Sequence, residues 1–203
     1  MSKKLVLFDL DGVLIDSKEN MNLSWMAVCE KFNLNVEFID YFSHIGRPFQ
    51  DILEILNIKE DKYEIGLAFN NVSSKLINKV NIYDGVEVVL HQLFDKNIKT
   101  GIITSKETNK THKMLALFDF TFDIVQTPNN NLNGKPAPDH ILYAMKQLDM
   151  SAPDVIYIGD MDVDYEAAKG ARVDFAFASW GYGNCSDKNI IKLKNILSLM
   201  DNI

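Results

Sequence analysis

The segment Lys4-Leu5-Val6-Leu7-Phe8-Asp9-Leu10-Asp11-Gly12-Val13 is an apolar strand that ends in two carboxylates one residue apart and then a glycine. Side chains alternate faces along a strand, so Asp9 and Asp11 converge on one side where the strand gives out. Two like charges that close repel unless a cation sits between them or one holds a proton. Gly12 lets the chain turn away sharply and leaves the backbone open to a ligand. Together these features point to a metal-assisted site at the carboxyl end of a parallel strand.

Further β-rich runs lie at 99–104, 122–126, 155–158 and 173–178, separated by helical patterns over 86–96, 107–117, 138–148 and 164–171. This alternation predicts an α/β fold: a Rossmann-like parallel sheet with helices on both faces. The first two strands are about ninety residues apart, and 16–82 reads helical throughout. The expected organisation is therefore an α/β core from 1–16 and 83–203, with a small all-helical cap inserted at 17–82. Gly46-Arg47-Pro48 breaks that insertion between two helices, and Asp16 and Ser17 read as the N-cap of its first helix.

With 203 residues, 47% of them apolar, the chain can bury a full core. A formal charge of -7 with basic residues spread out argues against nucleic acid. No apolar run reaches the roughly 20 residues that span a bilayer, and no signal-peptide pattern opens the chain, so a cytoplasmic protein is expected, away from membranes. Cys29 and Cys185 lack metal or redox spacing, and His44, His91, His112 and His140 share no ligand spacing. No association motif is visible, which leaves a monomer as the default.

Ligands of open parallel sheets bind at the carboxyl ends of the strands. There the second strand carries Thr104-Ser105-Lys106, whose hydroxyl and backbone N–H groups suit phosphate oxygens. The third leads to Gly134-Lys135-Pro136-Ala137-Pro138-Asp139, and the fourth ends in Gly159-Asp160-Met161-Asp162-Val163-Asp164. Asp9, Asp11, Asp160 and Asp164 bring up to four negative charges to one point, and a phosphate ester adds about two, which one lysine cannot balance. Charges 4 Å apart interact by about 4 kcal/mol at an effective dielectric near 20, so a divalent cation is required, and an all-oxygen donor set beside phosphate favours Mg²⁺. One aspartate can then attack phosphorus to form an aspartyl-phosphate while the other carries the proton for the leaving alcohol.

In order, Asp9-Leu10-Asp11-Gly12-Val13-Leu14-Ile15-Asp16-Ser17, Thr104-Ser105-Lys106, Gly134-Lys135-Pro136-x-Pro138-Asp139 and Gly159-Asp160-x-x-x-Asp164-x-x-Ala167-Ala168 resemble the four motifs of the haloacid dehalogenase-like hydrolases. The likeness runs the length of the chain, nearest to the phosphoglycolate phosphatase-like group with a helical cap. It implies Asp9 as nucleophile, Asp11 as general acid and base with its carbonyl on Mg²⁺, and Thr104 and Lys135 on the phosphoryl group. It further implies Asp160 as a direct Mg²⁺ ligand and Asp164 as one acting through the metal's water shell. Trp180-Gly181-Tyr182-Gly183 resembles a loop that the family keeps near its active site; a plain turn fits equally well.

Neither acidic cluster fits an EF-hand, because Leu14 and Tyr165 stand where glycine is needed. Asp162 reads as a surface residue, and Trp25 and Phe32 as cap core. The second aspartate, Asp11, which the family's dehalogenases lack, argues for phosphoryl transfer. β-Phosphoglucomutases of the family have histidine at the position of Met21 and glutamate at that of Gly159, so hydrolysis is favoured over mutase action. A phosphonatase reading would need Lys18, Lys59 or Lys62 as its Schiff-base lysine, and none has a telling context. A phosphate-binding regulator without turnover would be expected to lack a motif residue, and none is missing. The expected partner is a small phosphorylated metabolite: phosphoglycolate first, then a sugar phosphate, a nucleoside monophosphate or pyrophosphate. Gly46 and Arg47 in the cap loop are the candidate substrate contacts, Arg47 as a bidentate clamp on a carboxylate or second phosphate.

Overall fold

The structure, a computed structural model, describes residues 3–129 and 131–203. Its first elements are strand β1 (Leu5–Phe8), strand β2 (Ile15–Asp16) and four helices, α1 (Lys18–Phe32), α2 (Phe38–Phe42), α3 (Phe49–Ile55) and α4 (Lys62–Lys75). Strand β3 (Asn81–Ile82), helix α5 (Val86–Asp95), strand β4 (Lys99–Ile103), helix α6 (Thr108–Leu115) and strand β5 (Ile124–Gln126) follow. Helix α7 (Asp139–Gln147), strand β6 (Val155–Gly159), helix α8 (Asp162–Ala171) and strands β7 (Asp174–Ala178) and β8 (Ile191–Leu193) complete the order.

Six strands form one sheet in the order β5-β4-β1-β6-β7-β8, and every neighbouring pair is parallel. Its strands are apolar on both faces because both faces are covered. Val6, Phe8, Ile102, Ile156 and Ile158 pack with Val89, Leu90 and Leu93 of α5 on one side. Leu5, Leu7, Ile103 and Val155 pack with Ile141 and Ala144 of α7 and Ala167 and Ala168 of α8 on the other. The alternation within β1 shows the period of two directly. Fully burying one such aliphatic side chain stabilises by about 1.5–3 kcal/mol, so burial on both faces holds the rim of the sheet rigid.

The five strand runs expected from sequence are present with shifted ends, and β8 is an addition whose three residues are too short for a period to register. Residues 16–82 are not helical throughout. Loops separate α1 to α4, and the ends of the stretch pair as an antiparallel ribbon, Ile15 opposite Ile82 and Asp16 opposite Asn81. Two-residue strands carry no readable pattern, so the helical reading overran them.

The helices between these strands have their own core. Trp25 is buried with its ring 4.5 Å from Tyr41, Ile52, Leu53, Ile65 and Phe69 close around it, and Phe32 packs at the edge, so Trp25 and Phe32 are core residues as expected. Gly46-Arg47-Pro48 lies between α2 and α3 and faces the sheet rim. A Cβ at Gly46, whose φ is +87°, would lie 2.8 Å from Val163, and one at Gly134 would lie 2.5 Å from Pro48. The cap loop is thus seated between the first turn of α8 and the loop that leads into α7.

Candidate active site

Backbone pairing continues one residue beyond β1 and β4: Asp9 N donates to Ile158 O at 2.8 Å, and Thr104 N to Gln126 O at 3.1 Å. Asp9 and Thr104 therefore stand on the same rim, where the ladder ends. The chain turns at once at Gly12, whose φ is +81°, a region that costs any residue with a Cβ. A Cβ there would also lie 2.3 Å from an Asp160 carboxylate oxygen.

Lys135 is buried and joins the end of β1 to the first turn of α8. Its Nζ is 2.9 Å from Asp9 Oδ1 and 2.7 Å from Asp164 Oδ1. Burial alone would lower its pKa, but Asp164 and Asp9 outweigh that and raise it, so the ammonium is held charged. Asp164 is fully buried and fully used: Oδ1 also lies 2.9 Å from the Tyr157 hydroxyl, and Oδ2 accepts from the N–H groups of Asp160 (3.2 Å) and Met161 (3.1 Å). It positions the others.

Asp160 accepts from Tyr182 N–H at 2.6 Å through Oδ2, and its buried Oδ1 has no partner. An orphaned buried carboxylate oxygen is costly, and burial first, then the charges of Asp164 and Asp9, drive its pKa well above the ordinary value. Asp9 is pushed up to about 7, by burial first and with Asp164 and Asp11 adding to it against the pull of Lys135. Asp9, Asp160 and Asp164 each offer a carboxylate oxygen within 4.8 Å of the others. A hard divalent cation fits this set, since it would supply the partner that Asp160 Oδ1 lacks and the charge that two desolvated carboxylates need.

Asp11 is half-buried on the cavity side of this cluster. Its Oδ1 takes two contacts, a hydrogen bond donated by the Ser17 hydroxyl and an ion pair with Lys106 at 3.0 Å. Ser17 is therefore not a side-chain cap of α1; its hydroxyl is spent on Asp11, and it is Asp16 that accepts from Lys18 N–H at 3.0 Å. Thr104 Oγ1 accepts from Lys106 N–H at 3.2 Å, which leaves its own hydrogen to donate. Ser105, read from sequence as a phosphate contact, donates its hydroxyl to Gly46 O at 2.6 Å and so ties the core to the cap loop. Arg47 is half-buried, lines the same cavity, and has no ion-pair partner among the described residues.

The loop Trp180–Gly183 belongs to the site. Besides Tyr182 N–H on Asp160, Tyr182 OH accepts from Ser17 N–H at 2.7 Å and donates to Asp16 at 2.9 Å, while Trp180 Nε1 donates to Val13 O at 3.1 Å. A Cβ at Gly181 would lie 2.3 Å from Asp160 Cβ, so only glycine allows that approach. Asp162 is exposed, and none of the four histidines belongs to the acidic cluster. Lys106 and Lys110 also line the cavity, and sequence reasoning left both without a role. Their spacing was the available signal, because like charges four residues apart at the start of a helix repel. The cavity between sheet rim and cap holds about 90 Å³, and the cap contributes Met21, Tyr41, Ile45, Phe49 and Phe69 to its wall.

Residues 6–178 match the family model described as haloacid dehalogenase-like hydrolase. A pyrophosphatase PpaX from Oceanobacillus iheyensis is 27% identical over 95% of this chain and 89% of its own. A phosphoglycolate phosphatase from Aquifex aeolicus is 25% identical over 98% and 97%, and a β-phosphoglucomutase from Bacillus subtilis 31% over 83% and 80%. Among solved structures, a hydrolase from Pseudomonas syringae superposes with a TM-score of 0.86 at 22% identity, covering 99% of each chain, and shares the fold. The rim of buried carboxylates, the bridging lysine and the family match agree, and the chain belongs to the haloacid dehalogenase-like hydrolases.

Proposed function

We propose that this phosphatase is Mg²⁺-dependent and hydrolyses a small phosphorylated metabolite through an aspartyl-phosphate on Asp9, phosphoglycolate being the first candidate. The observation that carries the reading is the buried Asp160 Oδ1 without a partner, beside Asp9 and Asp164, which one lysine joins to each other. Asp9, Asp160 and the Asp11 carbonyl would hold the ion, and Asp164 would act on its water shell. When bound, Mg²⁺ supplies the charge that lets a phosphate dianion approach two carboxylates.

The chain's own residues do the rest. Asp9 stands at the rim with Lys135 against Oδ1, so its free oxygen faces the cavity as the attacking atom. Lys135 and the Thr104 hydroxyl hold phosphoryl oxygens. Asp11 presents Oδ2 to the leaving group, because Ser17 and Lys106 both occupy Oδ1. It gives its proton to the departing oxygen and later takes one from the attacking water. The cap wall keeps bulk water out.

Mutase action finds less support. A glutamate at Gly159 would need a Cβ 2.3 Å from Asp164 Cβ, and Met21 supplies no imidazole. Asp11→Asn tests the reading: phosphate release from alkyl esters is expected to fall about 10²–10⁴-fold, and release from p-nitrophenyl phosphate much less, since that leaving group needs little protonation. An equal loss for both classes would contradict the acid role of Asp11.

Metal binding should depend on pH in a defined direction. Asp9 and Asp160 are held above the ordinary carboxylate range, so the metal-free site carries protons near pH 6 that a cation must expel. Mg²⁺ affinity is expected to rise from pH 6 to pH 8, by at most about tenfold per pH unit for each proton released. Calorimetry in buffers of different ionisation enthalpy reads that release; a pH-independent affinity without it would contradict the assignment.

A further inference from the structure

The two lysines at the start of α6 are in different states. Lys106 is matched by Asp11. Lys110 is 4% exposed, lines the cavity, and has no carboxylate within 4.0 Å among the described residues. Its Nζ lies 4.4 Å from the centre of the Phe69 ring on α4, a face that replaces little of the hydration an ammonium loses. Burial first, then the neighbouring Lys106 ammonium, push its pKa well below the usual lysine range. The nearest acid in sequence, Glu107, turns its side chain to the N-terminus of α6, accepting from Asn109 N–H at 2.9 Å and Lys110 N–H at 3.0 Å, and makes no ion pair with the Lys110 ammonium. Lys106 and Lys110, neighbouring and buried, share the single carboxylate of Asp11 and lack a second anion, and the open side of Lys110 is the cavity into which the leaving group must project.

We propose that Lys110 and Lys106 form a second anion subsite that holds a carboxylate or a second phosphate on the leaving group, so that the enzyme selects small substrates with two anionic ends over neutral sugar phosphates. This rests on the phosphatase reading above and narrows its substrate class. The Lys106–Asp11 contact places the subsite beside the group that protonates the leaving oxygen, so an anion seated there brings that oxygen to Asp11. Phe69 faces the Lys110 Nζ from the cap side and makes the subsite depend on the cap being seated.

The test is calorimetric binding to the Asp9→Asn protein in Mg²⁺, which separates binding from turnover. 2-Phosphoglycolate and pyrophosphate are titrated against ethyl phosphate, whose leaving side is neutral, and the comparison between the first two tells a carboxylate from a phosphate. At least one of them is expected to bind about 30-fold more tightly than ethyl phosphate, the effect of one desolvated charge-assisted contact. Adding Lys110→Met, which keeps an unbranched side chain of similar length without the charge, should erase that preference, and Lys110→Arg should restore part of it. Equal affinity for all three ligands in Asp9→Asn alone overturns the subsite without any lysine variant. So does a preference that survives Lys110→Met, or a uniform loss for all three ligands that marks a structural role. Turnover by the wild-type protein is scored separately: absent turnover with an intact, Lys110-dependent preference removes the hydrolase reading and keeps the subsite, and the reverse pattern does the opposite.

Discussion

Asp9→Asn is expected to lower Mg²⁺-dependent phosphate release by about 10⁴-fold or more, the scale on which loss of a covalent nucleophile acts. The loss should hold for every ester, good or poor leaving group, because without a nucleophile no step remains for Asp11 to assist. The substitution should leave the fold intact. An asparagine carbonyl can still accept from Lys135, which keeps its second partner Asp164 at 2.7 Å, and a buried charge is removed. Phosphate release from p-nitrophenyl phosphate, with melting curves beside it, reads both. Activity within tenfold of wild type would mean that water, and not Asp9, attacks phosphorus.

Asp160→Asn is expected to make the metal-free protein more stable and the metal useless to it. The wild-type carboxylate is buried, one oxygen is unpartnered, and its pKa is raised by burial and by the charges of Asp164 and Asp9. A carboxyl whose folded pKa exceeds its unfolded value binds its proton more tightly in the folded state. Its contribution to stability therefore falls as pH rises above the ordinary carboxylate range. The gain from asparagine should be largest at pH 8 and fade toward pH 4, where the wild-type group is protonated. About 1–2 kcal/mol, a rise of roughly 2–8 °C in Tm for a chain of this size, is the expected scale at pH 8. Saturating Mg²⁺ should raise the wild-type Tm and leave the variant's unchanged, since a ligand stabilises only the state that binds it. A variant that melts lower than wild type without metal, or that keeps the Mg²⁺-induced rise, would contradict the role given to Asp160.

Much of the site was legible because a parallel sheet is buried on both faces. A polar residue at the end of a run such as 5–8, 99–103 or 155–159 cannot be part of the apolar pattern, and so Asp9, Thr104 and Asp160 stood out where the strands stop. Lys135 was legible through its loop, which has little other reason to place a lysine before α7. The residues that escaped carry no such contrast. Lys110 offered only its distance of four residues from Lys106 as a signal, and the fold alone shows that its ammonium nitrogen lies against Phe69. Ser17 looked like a helix cap because serine favours that position; its hydroxyl goes to Asp11 because a buried carboxylate is the stronger acceptor. The Tyr182 hydroxyl is about 165 residues from Ser17 and Asp16, beyond any local pattern, and only the resemblance of its loop to one the family keeps near its active site pointed to it. The ribbon of β2 and β3 and the edge strand β8 are too short to have a period.

The chemistry assigned to the rim comes down to one covalent bond. Protein quenched in acid during steady-state turnover with Mg²⁺ and substrate, digested and mapped by mass spectrometry, should carry one phosphoryl group on Asp9, and Asp9→Asn protein treated alike should carry none. Sustained phosphate release with Asp9 unmodified at every time point, or the phosphoryl group on another residue, would show that the buried carboxylates serve a different reaction.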